Sequence, residues 1–437
     1  MSDDPLATLG RLRAVHPIDL HWSAMVRRST MVLGRIEAQT VQLVLTHGTV
    51  SRRHFEVSWN EATGQHQGRD LGSHNGSRID GRDIGQGAVP LRDGAVIQLG
   101  DVCLVYERMP PGLVEPPASV HEPIPGVAPQ IVALRQAMAR AAADPAPVLV
   151  RGESGTGKGY VAQELHRQSG RRGPLVTIDC SAPRAELERQ FLGEPRSRLC
   201  EAEGGTLVLD TIGDLPQPLQ SMLLRTLEEG RLQPGGAAEA IPLDVRVIAT
   251  TPPDLERRVG AGGFRRDLYE HLGRWTLQVP PLRERRGDLL LCLQYLHARW
   301  LDRRPEHPVD TLTLSAEAAE AVLLYDWPDN LRELDRLVHE LATAPHLPRP
   351  IPRSRLPNWV RHSDPLLSDA RITAEVGPPA SLEALRQPAP TREEFIEVFE
   401  RLEGDVRAMA RHFARDRRQI YRWIQSHGLS ARQDDGG

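Results

Sequence analysis

The first hundred residues consist of short runs in which apolar and polar positions alternate. Runs at 41–45, 54–59 and 102–106 are apolar or alternating, and Gly, Asp and Asn residues separate them. A period of two between turn residues is typical of strands that bury one face. The pattern predicts a β-sandwich over residues 1–108.

The period changes after residue 124. Strand-like apolar runs at 148–150, 175–178, 206–209 and 245–249 alternate with longer segments of helical period. This alternation predicts an α/β domain, and helical spacing alone over its last hundred residues predicts a helical lid. We place this domain at residues 124–361.

Near the C-terminus, apolar residues recur at helical spacing in three short segments. The first runs from Thr391 to Leu402, Gly404 separates it from the second, and the third ends at Ser426. Two short helices joined by a tight turn form a helix-turn-helix, which predicts an all-α domain over residues 391–430. Prolines concentrate between the three parts, so residues 109–123 and 362–390 are predicted linkers.

Composition narrows the classes of protein further. The chain has 437 residues, of which 40% are hydrophobic and 26% charged, and these values are ordinary for a globular protein of several domains. We find neither an apolar run long enough to span a membrane nor an N-terminal signal, so we expect a cytoplasmic protein without a membrane partner. The four cysteines show no CxxC spacing, which predicts buried thiols rather than a metal site or a disulfide framework.

A glycine-rich turn follows the apolar run at 148–150. Its backbone N–H groups would face phosphate oxygens, its lysine would add a cation, and the helix after it would present its positive end. The general pattern has Ser or Thr after the lysine, where this chain has Gly159, so a structural turn is the alternative. The predicted nucleotide contacts are Gly152, Glu153, Ser154, Gly155, Thr156, Gly157, Lys158 and Gly159.

A second element supports a bound nucleotide. The apolar run at 206–209 ends in Asp210, and a strand that ends in an aspartate supplies a metal anchor in P-loop proteins. The two elements together predict ATP and Mg²⁺ as cofactors, with Asp210 on the metal. Thr211 follows, where ring-forming ATPases usually carry a glutamate that polarises the attacking water. Binding and turnover are therefore separate questions.

Three polar motifs lie in turns of the predicted sandwich: Gly34-Arg35, Ser51-Arg52-Arg53-His54 and Ser73-His74-Asn75-Gly76. Their order resembles the forkhead-associated (FHA) family. The resemblance implies a phosphothreonine site in which Arg35 pairs with the phosphate while Ser51 and Arg52 add a hydroxyl and a charge. Asn75 would hold the peptide backbone, and His74 beside it is a further candidate contact. The alternative is a sandwich whose basic loop residues are only solvated.

The central domain resembles the AAA+ domain of sigma-54-dependent transcriptional activators. The resemblance rests on motifs in order and spacing at 152–158, 205–210, 213–216, 280–285 and 327–334. It implies that Arg332 is the second sensor, a lid guanidinium that reaches the nucleotide phosphates; the alternative is an exposed helix charge. It also implies a homo-oligomer, because the heterologous self-associating surface of such domains closes into rings.

Two departures from that family concern the sigma-54 contact and the catalytic base. Only 23 residues separate Cys180 from Gly204, and they lack the Gly-Ala-Phe-Thr-Gly-Ala loop that touches the sigma factor. Thr211 replaces the catalytic carboxylate, and a positioned base is worth about 10²–10⁴ in rate. Because this loop is missing, the sequence does not support contact with sigma-54 RNA polymerase as a partner.

Two further departures concern groups around the γ-phosphate. His271 replaces the second arginine, the finger into the neighbouring subunit, while Arg265 survives. Thr250-Thr251-Pro252 ends the next strand where an asparagine would sense the γ-phosphate, and Asp179 replaces the asparagine partner of the missing glutamate. Asp210, Thr211, Arg265 and His271 thus occupy the catalytic positions without forming a complete set. We predict that the domain binds ATP and hydrolyses it poorly.

The C-terminal helices resemble the Fis-type module that ends the same activator family. Between Arg401 and Arg422 there are seven arginines and three acids, a local excess of +4 in a chain whose net charge is −4. Such an excess suits a phosphate backbone, and Arg and Gln side chains read base edges; a solvated helix face is the alternative. The predicted contacts to double-stranded DNA are Arg417, Arg418, Gln419, Tyr421 and Arg422.

Together these features predict a bacterial transcriptional regulator. It would read phosphothreonine on a partner protein or on its own phosphorylated segment, bind ATP and dock on DNA. The first alternative is a working ATPase that remodels sigma-54 RNA polymerase, against which the missing contact loop argues. The second is a phosphoprotein scaffold whose nucleotide and DNA-binding modules are relics, against which the basic recognition helix argues.

Overall fold

The computed structural model describes residues 9–20, 22–36, 41–110, 124–192, 197–232, 240–304, 311–344, 346–361 and 392–401. The chain divides into two compact units, residues 1–368 and 369–437. The first unit contains a β-sandwich and an α/β domain with a helical lid, which confirms the predicted fold class for these parts.

Eleven strands form the described part of the sandwich. They are β1 (Leu9–His16), β2 (Ser23–Val26), β3 (Met31–Gly34), β4 (Leu43–Val44), β5 (Phe55–Asn60), β6 (Gln65–Asp70), β7 (Ser77–Ile79), β8 (Arg82–Asp83), β9 (Val89–Pro90), β10 (Val96–Leu99) and β11 (Val102–Met109). One sheet has the order β2-β1-β11-β10-β7-β8, and the other β4-β3-β5-β6-β9. Leu12, Phe55 and Leu104 are among the side chains of the core between the sheets, because residues of one strand point alternately to its two faces.

Strand β11 buries both of its faces. Leu104 and Tyr106 belong to the sandwich core, whereas Cys103 and Val105 belong to a second core that includes the lid. This accounts for the continuous apolar run at 102–106, since a strand with one solvated face alternates instead.

The α/β domain is built on a parallel sheet of order β13-β14-β17-β12-β18. Its strands are β12 (Val148–Arg151), β13 (Leu175–Asp179), β14 (Thr206–Asp210), β17 (Arg246–Thr251) and β18 (Trp275–Gln278), and β15 (Arg231–Leu232) pairs with β16 (Ile241–Pro242) in a separate ribbon. The helices are α1 (Pro129–Ala142), α2 (Lys158–Gln168), α3 (Arg184–Leu192), α4 (Arg198–Glu201), α5 (Gln217–Glu229), α6 (Leu255–Gly260) and α7 (Arg266–Leu272). Continuous apolar strands are buried on both faces, as expected for a parallel sheet.

Four helices form the described part of the lid: α8 (Leu289–Asp302), α9 (Ala316–Leu324), α10 (Asn330–Thr343) and α11 (Asn358–Arg361). Trp327 is fully buried at their centre and donates its indole N–H to the carbonyl of Val322 at 3.0 Å. In the second unit, α12 (Arg392–Arg401) lies within the first predicted C-terminal helix. The two helices predicted after it, with all five predicted DNA contacts, lie outside the described residues.

A buried ion network joins the sandwich to the α/β domain. Asp288 accepts hydrogen bonds from the guanidinium of Arg13 at 2.8 Å and from the backbone N–H of Val127 at 2.9 Å. Arg11 bonds Glu107 and donates to the carbonyl of Val127 at 2.8 Å. Although burial opposes it, Asp288 and Glu107 raise the pKa of Arg13. Two arginines of strand β1 therefore hold the segment that enters α1.

The cysteine prediction holds for three positions. All four cysteines are free thiols, and Cys103, Cys180 and Cys292 are buried, whereas Cys200 is only partly buried. Burial raises the pKa of Cys292 to about 11, so this thiol stays protonated near neutral pH. No described helix combines the length and the apolar character that crossing a membrane requires.

Candidate functional site

The glycine-rich turn connects β12 to α2 and forms one wall of a cavity. Gly155 and Gly157 adopt left-handed φ angles of 75° and 100°. A Cβ at Gly155 would lie 2.0 Å from the carbonyl oxygen of Asp329 in the lid, so only glycine fits there. Lys158 begins α2, and its ammonium donates to the carbonyls of Gly152 at 2.9 Å and Glu153 at 2.8 Å.

Lys158 and Asp210 line the same cavity. Burial lowers the pKa of Lys158, and the charge of Asp210 opposes that shift. The described residues contain no cluster of three or more metal-ligating side chains. Mg²⁺ nevertheless suits the site, because it is usually held by one or two carboxylates together with nucleotide phosphates and water. Asp210 would supply the protein ligand.

Thr250 organises the carboxyl end of β14. Its hydroxyl donates to a carboxylate oxygen of Asp210 and accepts from the backbone N–H of Thr211 at 3.1 Å. Thr211 itself has a left-handed φ of 54° and lines the cavity. Thr250 belongs to the segment Thr250-Thr251-Pro252, where an asparagine sensor was expected, and its hydroxyl contacts both Asp210 and Thr211.

The lid closes against the glycine-rich turn. Arg332 donates to the Ser154 hydroxyl at 2.9 Å, and the backbone N–H of Leu331 donates to the carbonyl of Gly155 at 3.0 Å. Asn330 donates to the Ser154 carbonyl at 3.0 Å. Arg332 therefore lies at the predicted nucleotide loop.

A second contact between lid and turn was missed from the sequence. The Arg283 guanidinium bonds both carboxylate oxygens of Glu153, one of them at 2.7 Å, and Asn330 donates to Glu153 at 3.2 Å. Hydrogen bonds from Arg283 lower the pKa of Glu153. Glu153 is thus occupied by Arg283 and Asn330 and fixes the turn instead of binding phosphate. Arg283 is 130 positions away in the sequence, so this pairing is visible only in the structure.

The structure brings most predicted nucleotide contacts together. The carbonyls of Gly152 and Glu153 accept hydrogen bonds from the ammonium of Lys158, and the remaining predicted contacts line the cavity. The cavity members are Ser154, Gly155, Thr156, Gly157, Lys158, Gly159, Asp210, Thr211 and Arg332.

Arg265 and His271 do not line this cavity. Arg265 is exposed and bonds Asp267 and the Ser221 hydroxyl. His271 lines a separate pocket with Glu228 and Arg274, where burial and then the charge of Arg274 lower its pKa. Both effects favour the neutral imidazole. Neither side chain serves the nucleotide cavity of its own chain, so a role in turnover would require a second copy.

The three sandwich motifs meet at one end of the sandwich. The backbone N–H of Arg35 donates to the carbonyl of Ser51 at 2.9 Å, and the Ser51 hydroxyl accepts from the backbone N–H of His74 at 3.0 Å. Asn75 donates its amide to the carbonyl of Thr49 at 2.7 Å. The side chains of Arg35, Arg52, His74 and Asn75 are exposed there.

Buried groups hold these loops. His54 is fully buried, accepts from the backbone N–H of Ser51 at 3.0 Å and bonds the carbonyl of Gly76 at 3.1 Å. Asp70 accepts from the hydroxyls of Ser73 at 2.6 Å and Ser77 at 2.5 Å. Burial works against it, but these hydroxyls lower the pKa of Asp70. Asp70 was missed from the sequence because an aspartate at a strand end looks like any other turn residue.

Comparison with known protein families matches three segments of the chain. Residues 31–100 match the FHA domain, residues 124–278 match the sigma-54 interaction domain, and residues 283–370 match an AAA+ ATPase lid domain. The segments coincide with the sandwich, the α/β domain and the lid.

Comparisons with individual proteins agree with these matches. The sigma-54-dependent transcriptional activator SfnR of Pseudomonas putida is 37% identical over 294 residues, which cover 64% of this chain and 75% of that protein. The regulatory protein LuxO of Vibrio cholerae is 39% identical over 208 residues, 45% of this chain and 39% of LuxO. The structure of NtrX from Brucella abortus in complex with ADP superposes with a TM-score of 0.51 at 27% identity, covering 70% of this chain and 68% of NtrX.

Proposed function

Because this chain belongs to the sigma-54-dependent transcriptional activators, we propose that it is a cytoplasmic DNA-binding regulator whose α/β domain binds ATP with Mg²⁺. The observation that carries the proposal is that Lys158, Asp210 and Arg332 line one cavity. In this proposal Lys158 and Asp210 act as the phosphate lysine and the metal aspartate of P-loop proteins. Arg332 adds a lid guanidinium at the phosphates of the bound nucleoside triphosphate. Mg²⁺ would neutralise charge on the phosphates, and Thr250 would orient Asp210 towards it.

Turnover is slow in this proposal. The carboxylates among the described cavity residues are Asp210 and Asp335, and Asp335 belongs to the lid. Asp210 is assigned to the metal and already accepts from Thr250. Among the described residues that line the cavity, no second carboxylate is thus left beside Asp210 to act as a base. A missing base removes about 10²–10⁴ in rate.

The sandwich reads phosphothreonine in this proposal. Arg35 and Arg52 are exposed beside the hydroxyl of Ser51, and Asn75 is held by the carbonyl of Thr49. A dianionic phosphate gains strong charge-assisted hydrogen bonds from such groups. The ligand is a phosphorylated partner or a phosphorylated segment of this chain. The C-terminal residues around Arg418 would bind double-stranded DNA.

A second candidate function is an active ATPase that remodels sigma-54 RNA polymerase in a ring. Membership of the family favours it. The absence of the contact loop between Cys180 and Gly204 argues against it.

One experiment separates the two candidates. Calorimetry of the full chain with Mg-ATP, beside a steady-state ATPase assay, should show binding together with a kcat far below the typical value of about 10 per second. A kcat of several per second, with transcription from a sigma-54 promoter, would establish the second candidate. Absence of binding would refute both.

A further inference from the structure

The nucleotide cavity extends well beyond the glycine-rich turn. Its volume is about 960 Å³, at the upper end of the range of about 300–1,000 Å³ for ligand pockets. Lys158 and Asp210 lie at one end, and Arg332 reaches the same end from α10. Side chains of the segment before α8, of α8 itself and of the residues just after it line much of the rest, together with residues of α2 and α10. Among the α10 residues is Arg336, which pairs with Glu340.

Four arginines belong to this second part of the lining, and we refer to them as the distal arginines: Arg285, Arg299, Arg303 and Arg304. Arg299 and Arg303 lie one helical turn apart at the end of α8. Arg299 donates to the Tyr160 hydroxyl and lies over the rings of Tyr160 and Tyr295. Arg304 lies over the ring of Trp300.

No hydrogen-bonded carboxylate accompanies any distal arginine within the described residues. Elsewhere in the α/β domain and lid, arginines such as Arg283 and Arg258 pair with Glu153 and Asp214. Asp335 of α10 also lines the cavity. A hydrogen bond to the Tyr160 hydroxyl raises the pKa of Arg299, and the charge of Asp335 adds to that shift. One carboxylate does not balance four guanidinium groups.

Arg285 is the most telling of the four. Only 3% of it is exposed, and its Nε atom has no hydrogen-bond partner in the described part of the chain. A buried charge is costly unless a counter-charge and hydrogen bonds compensate it. Within the described residues the Arg285 guanidinium has no ion-pair partner, and it lines the cavity.

ATP does not satisfy this arrangement. Its three phosphates belong at the glycine-rich turn with Lys158 and Arg332, and its ribose carries only neutral hydroxyls. We propose that the cavity takes a nucleotide with a second phosphate group on its ribose, bound by the distal arginines while the 5′-phosphates occupy the turn. Guanidinium groups suit this task because their planar donors bind phosphate oxygens in pairs. This inference rests on the proposed nucleotide binding.

Calorimetry of the full chain at low salt tests it with two matched pairs of probes. Adenosine 3′-phosphate 5′-diphosphate is compared with ADP, and guanosine 3′,5′-bis(diphosphate) with GDP. We expect the added ribose phosphate to tighten binding at least tenfold in one pair or both. A gain in only one pair identifies the preferred base.

Variants assign the gain to the distal arginines. Arg299→Gln and Arg303→Gln should each reduce the preference for the ribose phosphate to threefold or less, because each removes a donor pair. Arg303 is exposed, so this variant should fold normally. Arg225→Gln on α5, whose arginine pairs with Glu229 outside the cavity, is the matched control and should keep the full preference.

The outcomes separate this inference from the proposed function. Binding of ADP or GDP without any gain from the ribose phosphate would overturn the inference and leave nucleotide binding intact. A gain that survives in both the Arg299→Gln and the Arg303→Gln variants would overturn it as well. Failure of every probe to bind would overturn the proposed nucleotide function and this inference with it.

Discussion

The guanidinium of Arg78 lies 2.7 Å from the carboxylate of Glu320 and joins the sandwich to the lid. Arg78 belongs to β7, three residues after Asn75, and Glu320 lies on α9 with 1% of its side chain exposed. The other carboxylate oxygen of Glu320 has no hydrogen-bond partner in the described structure. The loop with the predicted peptide contacts thus continues directly into an ion pair with the lid.

Arg78→Ala should destabilise the protein by about 1–3 kcal/mol, because it leaves the Glu320 carboxylate buried without its ion-pair partner. Urea unfolding followed by fluorescence measures the change. Arg69→Ala is the control, since Arg69 forms an exposed pair with Glu56 and such pairs contribute about 1 kcal/mol or less.

The same variant should show a specific pH dependence. Burial raises the pKa of Glu320, and Arg78 opposes that shift. The folded state keeps this proton to a higher pH than the unfolded chain, so ionisation of Glu320 lowers stability as the pH rises through the folded-state pKa. Without Arg78 this loss should grow, and the destabilisation should be larger at pH 8 than at pH 5. An equal effect at both pH values would contradict this account.

Thr250→Val should weaken binding of Mg-ATP at least fivefold. It removes a hydrogen bond to the charged Asp210, a contact worth about 1.5–3 kcal/mol, while the shape of the side chain is kept. Affinity for ATP without Mg²⁺ should change less, because Asp210 acts through the metal. Thr251→Val is the matched control, since the Thr251 hydroxyl donates only to the carbonyl of Pro252. Equal losses of Mg-ATP affinity in the two variants would contradict the role of Thr250 at the metal site.

Thr211→Glu alone should raise ATP turnover only modestly. The new carboxylate restores a base. The negative charge that develops on the phosphoryl group would still lack a stabilising arginine from a second copy of the chain. The double variant with His271→Arg should raise kcat further, as a coupled ATPase assay measures. It should still fail to drive transcription from a sigma-54 promoter, because the contact loop between Cys180 and Gly204 is missing. Full activity of the unmodified chain would refute this prediction.

Arg35→Ala should weaken binding of a phosphothreonine peptide at least tenfold. One charge-assisted phosphate contact is worth about 1.5–3 kcal/mol, and a factor of ten corresponds to about 1.4 kcal/mol. Fluorescence anisotropy with a peptide library measures the affinity, and the unphosphorylated library should not bind. Unchanged affinity of this variant for the phosphopeptides would refute the assignment of Arg35 as the phosphate contact.

DNA binding should fall steeply as salt rises, with a log–log slope of about −0.9 for each phosphate neutralised. Arg418→Ala and Arg422→Ala should weaken binding, and a chain that ends at Pro390 should not bind. Electrophoretic mobility shifts measure these effects. If the shortened chain binds as well as the full one, the DNA contacts lie elsewhere.

The sequence predicted elements better than it predicted their contacts. The glycine-rich turn, the strand before Asp210 and the three sandwich motifs follow from local patterns, because turn residues and apolar runs report on local backbone geometry. The pairing of Arg13 with Asp288, 275 positions away, leaves no local pattern. Likewise, the hydroxyl of Thr250 reaches Asp210 only because β14 and β17 are neighbours in the sheet.

The second face of β11 bears on how this protein arose and how it can be engineered. Cys103 and Val105 are fully buried in the core that includes the lid, so this FHA domain is not an interchangeable cassette. An FHA domain adapted to stand alone would have polar residues on that face, and the apolar side chains of the lid that pack against Cys103 and Val105 would lose this contact. A recombinant of two family members should therefore fold stably only when its sandwich and its lid come from the same protein. An engineered chimaera should take both from one parent.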